Sequence, residues 1–336
     1  MPLPLVRACR IVPSVSAPTP AVACLGEALV VLVPTVAGPL EHAATLTRSI
    51  AGAEANVAIA LVAAGAPAAV ITRVGDDGFG RYITSELARL GVGTSAIEVD
   101  AVAPTGIYVK DLAPAGDRGR MRYYRTGSAG SLLSPDTLDS PEARSLLTGA
   151  RVLHTTGITP ALSDSARDAQ LALLERRAAG QLVSFDLNWR PALWRDRENE
   201  ARTVLGAFVR RADVAFIGAS EASDIWNTTD PAELRAMFPE PRWLIVKNDA
   251  SDASGFDRDH RVDVPTLHLD VVEPIGAGDA FAAGFLAGLL AGLSLEGCMA
   301  RAHRMATRAL SNTRDHVGDP PAPPVGDLTT IRLAAR

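Results

Sequence analysis

Short apolar runs alternate with amphipathic segments along most of the chain. The apolar runs predict strands at 22–33, 68–74, 152–154, 182–186, 214–217, 242–247 and 267–272. Apolar residues at helical spacing predict helices at 55–64, 79–90, 163–179, 198–211 and 280–290. Buried strands that alternate with helices are typical of a parallel sheet covered on both faces. We therefore predict a three-layer α/β/α sandwich with a mostly parallel central sheet, whose ligands bind at the carboxyl ends of the strands.

Residues 104–127 depart from this pattern. Two strands, at 105–112 and 121–126, are predicted on either side of a polar turn. Together with strands within about 32–50, they predict a small antiparallel β flap, or lid, beside the sheet. Because such strands expose edges and apolar area, we expect a homodimer or a higher homo-oligomer formed through the lid.

The composition excludes several classes of protein. The chain has 336 residues, of which 47% are hydrophobic and 21% charged, and its net charge is −5. It is too apolar for a disordered protein and is not basic, as a protein that coats nucleic acid would be. No run approaches the roughly 18 apolar residues of a membrane span. We expect no nucleic-acid partner and no membrane.

The proline-rich chain ends bound a single predicted domain at 21–320. We expect a mobile extension at 1–20 and a C-terminal tail at 321–336. Residues 1–20 contain no apolar stretch typical of a secretory signal. The three cysteines are scattered, without the spacing of a disulfide framework or a metal site. These features favour the reducing cytoplasm, and they indicate no metal bound by protein ligands.

A glycine-rich turn at 276–281 carries the strongest chemical signal. It follows a predicted strand and opens a helix, so its N–H groups and the helix dipole can form an anion site. Asp279 lies in the first helical turn, where we expect a carboxylate that stays ionised near neutral pH. Such a group could accept a proton from a hydroxyl that attacks a phosphoryl group. The alternative is an ordinary turn with an N-terminal acid.

Aromatic and cationic residues are combined on the predicted flap. Tyr123, Tyr124 and Arg125 follow one another there, and Tyr108 lies on the preceding strand. Arg binds carboxylates through two parallel hydrogen bonds, while Tyr rings cover sugars and their hydroxyls orient them. The flap therefore predicts an acidic polar small molecule beneath it. The alternative is a strand with inward tyrosines and outward charges.

A third cluster, at 186–194, follows the predicted strand at 182–186. Asn188 and Arg190 lie where a strand-end loop would meet the cleft. Arg190 could pair with a substrate carboxylate or a phosphate. The alternative is an arginine that stacks on Trp194 or pairs with Asp186.

The order of these motifs resembles that of the ribokinase-like (pfkB) carbohydrate kinases and, among them, the 2-keto-3-deoxygluconate kinases. The resemblance runs from Cys24 to Pro320. The segments similar to the family's general pattern are 26–29, 51–58, 73–80 and 276–281. Those similar to the ketodeoxygluconate kinases are 105–108, 123–129, 157–162 and 188–194.

The resemblance implies a ribokinase-like fold and an ATP-dependent kinase that phosphorylates the C6 hydroxyl of 2-keto-3-deoxygluconate, with Mg²⁺ on the phosphates. It implies that Asp279 is the general base. The implied sugar-binding residues are Gly52, Asn56, Tyr108, Tyr123, Arg125, Ile158, Arg190, Asp279 and Asp315. The implied nucleotide-binding residues are Asn188, Glu221, Lys247, Gly276, Ala277 and Gly278.

Departures from the family pattern lie on the nucleotide side. Glu273 replaces Asp, Gly218 replaces Asn, and Asp249 and Asp252 replace glycines. Acids near a triphosphate repel it unless a cation intervenes. Three interpretations stay open: an active ketodeoxygluconate kinase, a kinase of the same fold for a galactonate-derived or fructose-like sugar, and a weakly catalytic sugar-binding relative.

Overall fold

The computed structural model describes residues 20–36, 38–111, 120–248, 252–265, 276–310 and 316–317. The strands are β1 (Val22–Leu25), β2 (Leu29–Pro34), β3 (Leu46–Ala51), β4 (Ala68–Gly75), β5 (Gly93–Asp100), β6 (Ile107–Asp111), β7 (Arg120–Tyr124), β8 (Val152–Thr156), β9 (Leu182–Asp186), β10 (Val214–Gly218), β11 (Trp243–Asn248), β12 (Asp252–Asp257) and β13 (His260–Pro265). The helices are α1 (Ala53–Ala63), α2 (Gly78–Arg89), α3 (Pro141–Gly149), α4 (Thr159–Leu162), α5 (Asp164–Glu175), α6 (Glu198–Arg211), α7 (Ala219–Trp226), α8 (Pro231–Met237), α9 (Ala277–Leu290) and α10 (Leu295–Leu310).

The larger sheet is mostly parallel. Its strand order is β13-β12-β11-β10-β9-β8-β1-β4-β5. All neighbours from β11 to β5 are parallel, whereas β12 and β13 form an antiparallel hairpin at one edge. The carboxyl ends of the parallel strands therefore meet along one edge of the sheet, where an α/β protein binds its ligands.

The smaller sheet forms the predicted lid. Its order is β3-β2-β6-β7, with antiparallel pairs at both ends and a parallel pair, β2 with β6, in the middle. Leu29, Val31, Ala51 and Tyr108 form a small apolar cluster of their own on this sheet. The lid is thus a separate sheet, and the chain enters it at β2, directly after β1 of the larger sheet.

Successive side chains of the buried strands point to opposite faces of the sheet, and each face packs against its own layer of helices. Val22 and Cys24 belong to the core formed with α1, α2, α9 and α10. Ala23 and Leu25 point the other way, into a core formed with α3 and α5, and α6, α7 and α8 continue that layer over β9, β10 and β11. This two-sided burial explains the uninterrupted apolar character of these strands.

Helix α9 is held tightly against the sheet because its sequence is apolar on every side. Phe285 meets Phe216 of β10 edge to face at 5.5 Å, and Phe281 meets His303 of α10 in the same manner at 5.1 Å. Buried residues run from Asp279 to Gly288 without interruption. The first turn of α9 is therefore fixed at the carboxyl edge of the sheet.

The predicted α/β/α sandwich and its lid are confirmed, whereas several boundaries were wrong. The run at 22–33 is two strands, β1 and β2, which lie in different sheets. The helix predicted at 163–179 ends at Glu175. Strands β5 and β13 were missed because partly exposed edge strands carry polar residues that weaken the apolar signal. The inner strand β12 is mostly buried, but it was missed because its sequence, DASGFD, contains no continuous apolar run.

The strand predicted at 267–272 lies outside the described residues, and so do 1–19 and 318–336. Within the part of the chain that the structure describes, no helix is both long enough and apolar enough to cross a membrane.

Candidate active site

A cavity of about 460 Å³ opens between the carboxyl edge of the larger sheet and the inner face of the lid. The predicted site residues that line it are Gly52, Asn56, Tyr108, Tyr123, Arg125, Ile158, Asn188, Arg190, Glu221, Lys247, Gly276, Gly278 and Asp279. Ala277 packs against the core instead. Asp315 lies outside the described residues. Residues far apart in sequence thus converge on one cavity.

The start of α9 presents bare backbone to this cavity. Gly276 precedes the helix with φ of 79°, a left-handed conformation that side-chain-bearing residues rarely adopt. Its carbonyl accepts the first helical bond, from Ala280 N–H at 2.9 Å. The earlier N–H groups of the turn have no partner within the helix. Together with the helix dipole, they form a site suited to an anion.

Asp279 is the third residue of α9 and is only 8% exposed. Its Oδ2 accepts a hydrogen bond from Asn56 Nδ2 at 2.8 Å, and its Oδ1 accepts one from Asn188 Nδ2 at 3.3 Å. Burial raises the pKa of Asp279 to about 6, although the bond from Asn56 works in the opposite direction. The expectation of a carboxylate stabilised by its place in the first turn was incomplete, because desolvation outweighs that effect.

A buried ion pair lies beside the start of α9. Lys247 Nζ donates to both carboxylate oxygens of Asp186 at 2.9 Å. Burial alone would lower the pKa of Lys247, but Asp186 and Glu221 raise it above its ordinary value. The ammonium group lies 3.5 Å from the position that a Cβ on Gly278 would occupy. A fixed positive charge therefore borders the anion site.

Glu221 and Arg190 lie on the same side of the cavity. Glu221 accepts hydrogen bonds from the N–H groups of Trp189 and Gly218, at 3.0 and 3.1 Å, and burial raises its pKa. Arg190 is half exposed and lies 3.7 Å from Glu221. The alternatives, in which Arg190 stacks on Trp194 or pairs with Asp186, are wrong. Arg197 stacks on Trp194 instead, and Lys247 forms the ion pair with Asp186. The Arg190 guanidinium group is accessible from the cavity.

The lid closes the cavity with stacked side chains. The ring centroids of Tyr108 and Tyr123 lie 5.1 Å apart, and the Arg125 guanidinium group lies 5.5 Å from the Tyr123 ring. Arg125 forms a buried ion pair with Glu27, whose other oxygen accepts a bond from Ser128 Oγ. The predicted cationic wall therefore carries a carboxylate partner that the sequence analysis missed.

A second buried carboxyl group, Glu54, lies near Asp279. Its Oε1 accepts bonds from the N–H and the hydroxyl of Thr156, at 3.1 and 2.7 Å, and from the Thr159 hydroxyl at 3.0 Å. Burial raises its pKa to about 7, and Asp279 adds to this increase. Glu54 lies in the segment at 51–58, which resembles a family signature. Its raised pKa could not be predicted from the sequence, because the shift depends on how deeply the carboxyl group is buried in the fold.

The residues that line the cavity and were not predicted are Glu27, Leu29, Ala51, Ala53, Glu54, Met121 and Asp186. Asp186 is the last residue of the strand predicted at 182–186, and that position was the available signal for it. Glu27 gave no such signal, because it lies inside the run predicted as one strand at 22–33, whereas the structure ends β1 at Leu25.

Comparison with known proteins agrees with this geometry. Residues 19–318 match the family described as pfkB family carbohydrate kinase. The chain belongs to the pfkB family. It is therefore a sugar kinase, and the resemblance that the glycine-rich turn and the segment at 51–58 indicated is confirmed.

Among pfkB proteins, the chain is 40% identical over 274 residues to 2-dehydro-3-deoxygluconokinase (2-keto-3-deoxygluconate kinase) of Thermoproteus tenax, covering 80% of this chain and 82% of that protein. It is 34% identical over 270 residues to Fructokinase-1 of Oryza sativa subsp. japonica, covering 79% and 81%. An uncharacterized sugar kinase from Pyrococcus horikoshii, solved in complex with ATP, has the same fold with a TM-score of 0.78 at 24% identity, covering 89% and 95%.

The raised pKa of Glu54 predicts a loss of stability as pH rises. The folded protein holds a proton on this carboxyl up to about pH 7, whereas the unfolded chain releases it near its ordinary value of 4.5. The free energy of unfolding should therefore fall by about 2–3 kcal/mol from this group between pH 5 and 8. In Glu54→Gln, urea unfolding should show a pH dependence that is smaller by this amount. The exposed control Glu41→Gln should keep the full dependence, and an unchanged dependence in Glu54→Gln would contradict the assignment.

Proposed function

We propose that this pfkB kinase transfers the γ-phosphoryl group of ATP to the C6 hydroxyl of 2-keto-3-deoxygluconate. The observation that carries the proposal is the sharing of one cavity by Asp279, at the bare start of α9, and the Tyr108–Tyr123–Arg125 wall of the lid. One end of the cavity suits phosphate and the other an acidic sugar. The relative from Thermoproteus tenax supports the same substrate.

Asp279 would act as the general base. With a pKa of about 6 it is mostly ionised at neutral pH, yet it is more basic than an exposed aspartate. It would accept the proton of the C6 hydroxyl while that oxygen bonds to the γ-phosphorus and ADP leaves. The N–H groups at the start of α9 and the Lys247 ammonium group would stabilise charge on the transferred group.

The acceptor side would be formed by the lid and by α1. Gly52 precedes α1 with φ of 123°, and a Cβ there would lie 2.3 Å from the carbonyl oxygen of Glu27. The close approach of the Gly52 backbone to Glu27 therefore requires glycine. It places the start of α1, and with it Asn56, at the cavity. The residues proposed to hold the sugar are Gly52, Asn56, Tyr108, Tyr123, Arg125, Ile158, Arg190, Asp279 and Asp315. Tyr108 and Tyr123 would cover the sugar while Arg125 and Arg190 meet its carboxylate.

The donor side would be formed by the carboxyl edge of the sheet. The residues proposed to face the nucleotide are Glu221, Lys247, Gly276 and Gly278, together with the backbone N–H of Ala277, whose side chain packs against the core. The bare N–H groups and Lys247 fit the phosphates of ATP. In the described part of the chain, no three His, Cys, Asp or Glu side chains form a metal site. Mg²⁺ would accordingly be carried on the phosphates, where it neutralises charge, with Glu221 as the nearby carboxylate.

A neutral, fructose-like acceptor is the second candidate, and the Glu27–Arg125 ion pair favours it. This pair neutralises one of the two arginines that would recognise a carboxylate. The rice fructokinase relative is consistent with such a substrate. The two candidates differ in whether the cavity needs an acidic group on the sugar.

Replacing the base should abolish turnover and spare binding. Asp279→Asn keeps the shape of the side chain but cannot accept the hydroxyl proton, so kcat should fall by about 10²-fold or more. The affinity for the sugar, measured by calorimetry, should change less than about threefold. Asp164→Asn is a matched control, since Asp164 also lies in a first helical turn but is exposed. Turnover at the wild-type rate in Asp279→Asn would remove Asp279 from the mechanism.

Replacing either cavity arginine should affect the KM for an acidic sugar much more than the KM for a neutral one. Loss of a charge-assisted hydrogen bond in Arg190→Ala or Arg125→Ala should raise KM for the keto acid about tenfold or more and leave KM for fructose nearly unchanged. Arg81→Ala, at an exposed arginine of α2, should alter neither. Equal increases for both sugars would exclude carboxylate recognition by these residues.

A further inference from the structure

Asn188 occupies an unusual backbone position beside the reacting centre. It follows β9 and Leu187, is 5% exposed, and has φ of 41°. Apart from glycine, asparagine is among the residues that tolerate this left-handed region best. The conformation accompanies a side chain that reaches Asp279 Oδ1 with its Nδ2 at 3.3 Å.

The two oxygens of Asp279 are held by two amides from different elements. Asn56 of α1 holds Oδ2 at 2.8 Å, and Asn188 of the loop after β9 holds Oδ1. An ionised carboxylate only accepts hydrogen bonds, so both amides must turn their NH₂ groups toward it. This arrangement fixes the plane of the carboxylate relative to the cavity.

The same orientation leaves two acceptors without a donor. The carbonyl oxygens of Asn56 and Asn188 are buried and have no hydrogen-bond partner among the described residues. Both residues line the cavity. A carbonyl oxygen attracts a hydroxyl proton but repels a phosphate oxygen. Beside Asp279, a phosphate oxygen of the nucleotide cannot supply the missing donor, whereas a hydroxyl group of the acceptor sugar can.

We propose that Asn188 is a positioning residue for Asp279 and that its carbonyl oxygen accepts a hydrogen bond from a hydroxyl group of the acceptor sugar. This inference rests on the proposed role of Asp279 as base. It moves Asn188 from the nucleotide side of the site to the sugar side. Asn56 and Asn188 then form a matched pair: their NH₂ groups donate hydrogen bonds to Asp279, and their carbonyl oxygens accept hydrogen bonds from sugar hydroxyls.

The test uses Asn188→Gly, which keeps the left-handed backbone and removes only the side chain. Loss of a donor to the ionised carboxylate should move the acid limb of the kcat profile upward by about half a pH unit. The rate at pH 6 should then fall about twofold more than the rate at pH 8. KM for the sugar should rise several-fold while KM for ATP stays unchanged. Asn227→Gly is the matched control, because Asn227 is also left-handed but lies exposed at the end of α7.

A second measurement separates this inference from the proposed function. The carboxyl carbon of Asp279, assigned with Asp279→Asn, can be titrated by NMR in the full-length enzyme without any substrate. Its midpoint should rise in Asn188→Gly and stay constant in Asn227→Gly. If the wild type phosphorylates no sugar, the proposed function fails, and the titration still tests the contact. An unmoved midpoint, or a change confined to KM for ATP, would overturn the assignment of Asn188.

Discussion

The burial of one carboxylate, that of Asp279, is the constraint on which the site depends. Desolvation raises its pKa, and the hydrogen bond from Asn56 lowers it, so the group titrates near pH 6. It stays ionised at neutral pH and remains basic enough to take a proton. The packing of α9 between the sheet and α10 makes this burial unavoidable, because Phe281 and Phe285 of the same helix anchor its first turns. The fold and the chemistry are therefore linked through α9.

Paired charges surround this carboxylate. Among the described residues, the cavity is lined by five carboxyl groups, those of Glu27, Glu54, Asp186, Glu221 and Asp279, and by three cations, Arg125, Arg190 and Lys247. Two of the cations are already bound to Glu27 and Asp186. An anionic nucleotide therefore needs further positive potential, which the start of α9 and a divalent ion on the phosphates can supply.

The sequence was informative where chemistry is local. Gly276 and Asp279 stand within four residues at the start of α9, and an anion site there needs no distant partner, so such a site could be predicted from the sequence. Glu27 and Glu54 could not be assigned in this way, because their partners Arg125 and Thr156 are about a hundred residues away in the chain. The split of the run at 22–33 into β1 and β2 was missed for a similar reason, since both halves are apolar and only the two sheets distinguish them.

The proposed function is tested most directly by measuring ADP release from the purified enzyme with ATP and Mg²⁺ over a set of acceptors. The set should contain 2-keto-3-deoxygluconate, its galactonate-derived epimer, fructose and ribose. We predict the highest kcat/KM for a keto-deoxy acid, at least about tenfold above fructose, because the proposed pairing of Arg125 and Arg190 with its carboxylate would favour an acidic acceptor. A preference for fructose or ribose, or sugar binding with no ADP release from any acceptor, would contradict it.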